Sequence, residues 1–178
     1  GTARPMVDNL LGGWQLSGIW RQSSGFPIGA AANGVWPTNW NVTSYASQTG
    51  FVPRTGTDKN APSAIDGTAG GPNMFSNPGL ALSGYDYSLP GDSGQRNGLR
   101  GDGFFTIDLG LAKRFTLFTH RDKPHTLQFR AEAFNITNTV RFDVYTANTD
   151  INDPGSFGKY TSQFGSPRVF QFALRYEF

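Results

Sequence analysis

Only two glutamates occur among the 178 residues, Glu132 and Glu177, and each follows an arginine by two positions, Arg130 and Arg175. On a strand that offset puts both side chains on one face. Two carboxyl groups about 5–10 Å apart would suit glycoside hydrolysis. The neighbouring guanidinium argues against it, because a positive charge lowers a carboxyl pKa and removes the general acid. Gly91-Asp92-Ser93-Gly94 matches the nucleophile segment of chymotrypsin-like proteases, yet His120 and His125 both follow Ser93, whereas that triad runs His, Asp, Ser along the chain. The two histidines have no Cys or Glu close by to complete a metal site and read as solvated turn residues. NTDINDPG at 148–155 carries oxygens in the manner of a calcium loop but lacks its spacing and distal Glu; Asn, Asp, Pro and Gly build such a turn without an ion. Trp36, Trp40, Tyr45, Tyr85 and Tyr87 are the candidate ligand contacts, since loop aromatics either stack on a ligand such as a sugar ring or pack on one another. No catalytic residue, metal site or cofactor is expected, and the chain does not read as an enzyme.

The charged residues belong to elements with a period of two. GWQLSGIWRQS sets Trp14, Leu16, Gly18 and Trp20 against Gln15, Ser17, Arg21 and Ser23, with Ile19 out of place. FFTIDLGLAKRF sets Phe105, Ile107, Leu109 and Leu111 against Thr106, Asp108, Gly110, Ala112 and Arg114. HTLQFRAEAFN sets Leu127, Phe129, Ala131 and Ala133 against Gln128, Arg130 and Glu132. RVFQFALRYEF sets Phe170, Phe172, Leu174, Tyr176 and Phe178 against Val169, Gln171, Ala173, Arg175 and Glu177. Such alternation predicts strands over about 12–24, 103–115, 125–137 and 167–178. Residues 25–101 and 139–166 are long loops rich in Gly, Pro, Asn, Ser and Thr, while 116–124 is a short connection.

With 23 Gly and 11 Pro, long helices are excluded by propensity, and 15 Phe, 4 Trp and 6 Tyr supply much of the apolar content of an all-β chain. A net charge of +2 with dispersed Lys and Arg gives no field suited to nucleic acid. No apolar run reaches the length of a transmembrane helix, which leaves open a barrel whose strands need only about 9–11 alternating residues. Zero cysteines excludes a disulfide scaffold. A sheet whose apolar face packs on a core would alternate in the same way. The charges favour lipid instead: an Arg or Lys at the bilayer midplane costs about 2–4 kcal/mol, and the apolar parity of all four strands holds only Lys113, beside the short turn, and Arg168, at the opening of the last strand. Trp14, Phe115, Phe118, Tyr176 and Phe178 sit at strand ends where an interfacial girdle belongs. Long, short and long connections match a barrel with extended outer loops and brief periplasmic turns. The expected fold is therefore an antiparallel transmembrane β-barrel fragment of about four strands, with Arg21, Asp108, Arg114, Arg130, Glu132, Arg175 and Glu177 facing the lumen. Four strands do not close a barrel, so the chain, which starts Gly-Thr-Ala, is expected to be part of a longer protein with Phe178 at its true end.

GGWQLSGIWRQSSGFPI at 12–28, RNGLRGDGFFTIDLGLAKRF at 96–115, HTLQFRAEAFNITN at 125–138 and FGSPRVFQFALRYEF at 164–178 together resemble the C-terminal end of TonB-dependent outer-membrane receptors, specifically the Oar-like branch. The resemblance spans nearly all of 1–178 and is weakest over 29–95. It implies the terminal portion of a plugged barrel of about 22 strands in the outer membrane of a Gram-negative bacterium. Such a barrel takes up a bulky solute with energy transduced through TonB. The implied partners are outer-membrane lipid, the barrel assembly machinery, TonB through a plug domain that this sequence does not contain, and an unidentified solute, with no nucleic acid. Phe172, Leu174, Tyr176 and Phe178 match the terminal signal that the assembly machinery reads. The competing expectation is a soluble secreted β-sandwich that binds carbohydrate through Trp36, Trp40 and Tyr45.

Overall fold

The computed structural model describes residues 11–33 and 44–178. In chain order they form β1 (Trp14–Ser23), β2 (Pro27–Ile28), β3 (Ala31–Ala32), β4 (Ser44–Tyr45), β5 (Ser47–Gln48), β6 (Asp58–Pro62), β7 (Ala69–Asn73), the short helix α1 (Pro78–Leu82), β8 (Tyr85–Asp86), β9 (Leu99–Arg100), β10 (Phe104–His120), β11 (Lys123–Phe134), a 3-10 turn (Val144–Thr146) and β12 (Val169–Glu177). They divide into two units. The sheet unit takes the residues up to Gln22, Phe105–Thr139 and Ser166–Phe178; the loop unit takes Ser23–Phe104 and Val140–Gly165.

The sheet unit is one open sheet in the order β1-β10-β11-β12. β11 and β12 pair antiparallel with Leu127 opposite Tyr176, Phe129 opposite Leu174, Ala131 opposite Phe172 and Ala133 opposite Phe170. The two apolar parities therefore coincide, as the alternation predicts. β10 continues the same face, with Leu109 opposite Ala133 and Leu111 opposite Ala131. This face is uncovered: Leu16, Trp20, Phe170 and Phe172 are exposed, and Leu174 is 70% exposed. A soluble sandwich would bury this parity in its core, so the sandwich expectation fails here.

Two further expectations are corrected. The connection expected over 116–124 is ordered as strand almost throughout: β10 runs on to His120 and β11 starts at Lys123, with His120 opposite Lys123. Only Arg121 and Asp122 turn the chain, with φ of 48° and 62°, the left-handed pair of a type I′ hairpin whose twist suits the strands it joins. A bulge between Thr116 and Phe118 takes up one residue. The second correction concerns Lys113. It is not set against lipid, being only 2% exposed. Its Nζ donates to the Gly12 carbonyl at 2.7 Å and lies 5.0 Å from both the Trp14 and the Phe115 ring centroids. A cation on the apolar parity is thus covered by two aromatic faces.

The loop unit has its own core. Met74, Phe75, Ala81, Tyr85, Leu99, Val144, Phe157 and Tyr160 are buried together with Ala30, Ala32 and Ala46. Phe75 and Phe157 stack with centroids 5.8 Å apart and an interplanar angle of 3°. The two long loops are joined by main-chain hydrogen bonds: Ala31 N–H to Thr149 O (2.8 Å), Ile151 N–H to Ala31 O (2.9 Å), Met74 N–H to Gly158 O (2.9 Å) and Tyr160 N–H to Pro72 O (2.9 Å). Buried backbone polar groups need such partners. Buried Asn73 adds a side-chain clamp, donating to Phe157 O at 2.7 Å and accepting from Phe75 N–H at 2.9 Å. Gly158 sits against it with φ of +76°, where an added Cβ would lie 2.2 Å from Asn73 Oδ1. The Gly and Pro density of these loops goes with strands of mostly two residues, without preventing a packed unit.

Candidate functional site

The polar face of the sheet carries all seven expected lumen residues on the parity opposite the apolar one, in four ion pairs. Arg21 Nη2 meets Asp108 Oδ2 at 2.8 Å, Arg130 Nη2 meets Glu132 Oε1 at 2.5 Å, and Glu177 is ion-paired with both Arg175 (3.1 Å) and Arg114 (3.5 Å). The pairing follows from register: Ala112 faces Arg130, and Gln128 is flanked by Arg114 on β10 and Arg175 on β12. The two glutamates do not form a catalytic pair. Glu177 faces Thr126, six residues along β11 from Glu132, which is about 20 Å at about 3.4 Å per residue. Exposed pairs like these contribute about 0–1 kcal/mol each; their chemical meaning is a wettable wall in which four arginines meet three carboxylates. Gln15, Ser17, Gly110, Ala112, Gln128, Arg130 and Glu132 line a shallow recess of about 270 Å³ in it.

At the hairpin end the terminal aromatics gather round a histidine that the sequence places in a solvated turn. His125 lies in β11, stacks on Phe118 with centroids 4.4 Å apart, and shares a 2.5 Å hydrogen bond between Nδ1 and the Tyr176 hydroxyl. Phe178, 83% exposed, lies 6.4 Å from the His125 ring. Phe172, Leu174 and Tyr176 are exposed with it along the apolar parity of β12. His120, 6.3 Å from His125, is the last residue of β10.

The loop aromatics separate. Trp36 and Trp40 lie outside the described residues. Tyr85 belongs to the core of the loop unit: it is buried, 6.2 Å from Phe157, and burial pushes its phenol up to about 12. Burial likewise raises the Tyr160 phenol. Tyr45 is half-buried in β4, with the Arg96 guanidinium 6.0 Å from its ring. Tyr87 is exposed and donates to Asn152 Oδ1 at 2.7 Å. The 148–155 turn is satisfied from within the protein: Asp150 Oδ1 accepts from the N–H groups of Asn33 and Asn152, and Asn148 Nδ2 donates to Asp153 at 2.8 Å. Ser93 lies in a plain turn, where the neighbouring Asp92 carboxyl is held low by the Ser47 hydroxyl and the Gly94 N–H.

Three polar residues escape the alternation argument. Asn135, in the left-handed region at φ 49°, donates to Thr139 O (3.2 Å) and Ser166 O (3.1 Å) and accepts from Thr139 N–H. Its own N–H donates to Asp108 Oδ1 at 2.8 Å. Asn138 accepts from Arg168 N–H at 3.1 Å, and the Arg168 guanidinium donates to Ile136 O at 3.3 Å. Together they tie the end of β11 to the start of β12. The signal in the sequence is Asn135-Ile136-Thr137-Asn138, two residues tolerant of αL three apart immediately after a strand.

Residues 1–171 match a protein-family model described as an outer membrane beta barrel domain. No curated protein and no solved structure matches the chain significantly.

Proposed function

We propose an uptake role from a plain premise: the chain belongs to the outer membrane beta barrel domain family, and its place is the outer membrane of a Gram-negative bacterium. The sheet is wall in a TonB-dependent receptor of the Oar-like branch, in which the uncovered apolar face meets lipid and the ion-paired face lines the lumen. The loop unit is the extracellular part that captures a bulky solute. Phe172, Leu174, Tyr176 and Phe178 are the handle for the barrel assembly machinery, and the energised step runs through a plug domain and TonB. No residue is assigned a catalytic role.

The observation that supports this reading is the sorting of charge. Every ion pair among the described residues of the sheet lies on one parity; of the two cations on the other parity of its strands, Lys113 is covered by Trp14 and Phe115 and Lys123 stands at the hairpin turn. Lipid imposes that sorting; water on both faces does not. The protein has no native cysteine, so single cysteines report each face. Cysteine at Leu174 should react only with a membrane-permeant maleimide, and cysteine at Gln171 should react with a water-soluble one. Uptake is tested by solute depletion from the medium, comparing cells with and without the protein and with and without TonB. At least one solute should lose uptake in both deletions; identical depletion in all strains sinks the transport reading.

A further inference from the structure

The loop unit holds a second recess, of about 260 Å³, lined by Gln48, Val52, Pro53, Arg54, Thr55, Tyr85, Gly98, Leu99 and Arg100. Its two ionised groups carry the same sign, and no described carboxylate lines it. Arg54 makes no ion pair with a described carboxylate. Arg100 is set by β9, which pairs with β2, and donates one N–H to Gly25 O at 2.8 Å. That bond fixes the guanidinium and occupies one of its five donors. Of the other lining residues, Tyr85 and Leu99 are buried core residues and Val52 packs on that core, so part of the lining is apolar and fixed beside the polar groups. The Tyr85 phenol, raised to about 12, is neutral and adds no negative charge at physiological pH.

We propose that this recess binds a small organic anion, a carboxylate or phosphate carried on a compact apolar body. The anion lies between the Arg54 and Arg100 guanidiniums and the body rests on Val52, Pro53, Tyr85 and Leu99. Guanidinium forks match the geometry of carboxylate and phosphate oxygens. The recess is below the usual size of a drug-like pocket, which limits the occupant to a compact acid or to the acidic end of a larger solute. The proposal rests on the loop unit being the capturing part of the receptor, and it supplies the chemical class of the solute.

The test is equilibrium binding to the protein in purified outer membranes, without an energy source. Hexanoate serves as the probe, hexanamide as its uncharged match and inorganic phosphate as the bare anion. Hexanoate should bind more tightly than either. Arg54→Gln and Arg100→Gln should each weaken it by about tenfold, the order expected for one charged hydrogen bond. Arg96→Gln removes a cation outside the recess and should leave binding unchanged. Equal binding of hexanoate and hexanamide, equal binding of hexanoate and phosphate, or an equal loss with Arg96→Gln would each overturn the proposal. Because the assay is not energised, hexanoate binding without TonB-dependent uptake overturns the transport reading alone. Uptake that persists while hexanoate fails to bind overturns this site alone.

Discussion

The sheet unit and the loop unit draw on the same residue types and place their apolar side chains in opposite ways. In the sheet, Leu16, Trp20, Phe170, Phe172 and Leu174 are exposed and the backbone is satisfied by continuous ladders between long strands. In the loop unit, Met74, Phe75 and Phe157 are fully buried, and the backbone is satisfied by bonds between segments far apart in sequence, such as Ala31 N–H to Thr149 O. On the proposed reading the difference is one of solvent: a sheet whose apolar face meets lipid needs no core, while the loop unit has to bury its apolar groups against one another in water.

That contrast is broken or sharpened by substitutions confined to one unit. Phe75→Ala should have the largest effect, about 3–5 kcal/mol for a buried aromatic. Limited proteolysis should then cut 23–104 and 140–165 while the sheet stays in the membrane; loss of both together would show that the units are not separable. Leu174→Arg should cost the sheet about 2–4 kcal/mol at mid-bilayer, read by urea titration in lipid, with loop proteolysis unchanged. Asn135→Ala removes the bond from β11 to Ser166 O ahead of β12 and should cost about 1–3 kcal/mol, seen as faster amide exchange at Thr139, whose N–H donates to it. Tyr85 gives a pH handle on the loop unit alone. Its folded pKa, about 12, lies above the unfolded value of 10.0, so the folded state holds the proton more tightly. The stability of the unit should be full below about pH 10 and fall as pH rises towards 12. Tyr85→Phe should flatten that fall in a pH series of proteolysis rates. Arg130→Ala should be the mildest, within about 1 kcal/mol because the pair is exposed; a larger loss in the same urea titration would mean that the polar wall carries stability as well as wettability.

The sheet was legible because period-two alternation and charge parity are local signals, readable in Arg175 and Glu177 without knowing any partner strand. Its turn was misjudged because Thr119, His120, Lys123 and Pro124 carry no apolar alternation, although their backbones pair, and Arg121-Asp122 is a weaker turn signal than Asn-Gly. Lys113 read as a tolerated exception because parity cannot reveal that Trp14 and Phe115 close over it. The loop core was hidden for a different reason. Met74, Phe75 and Phe157 follow no period, and their association depends on contacts such as Asn73 with Phe157, 84 positions apart. Turn-forming residues announce where the chain bends and say nothing of what the bends meet.

The Arg121-Asp122 turn also orders events in time. A hairpin closes across two residues in about 1–10 µs, whereas Asn33 waits for Asp150 across 117 positions, and the entropy of closing a loop grows with its length. β10 and β11 can zip before the loop unit has found its segments. The earliest structured species is then a lone ribbon with an unshielded greasy side, so the chain is most prone to aggregate between synthesis and insertion, and an escort during that interval matters more than the stability of the finished wall.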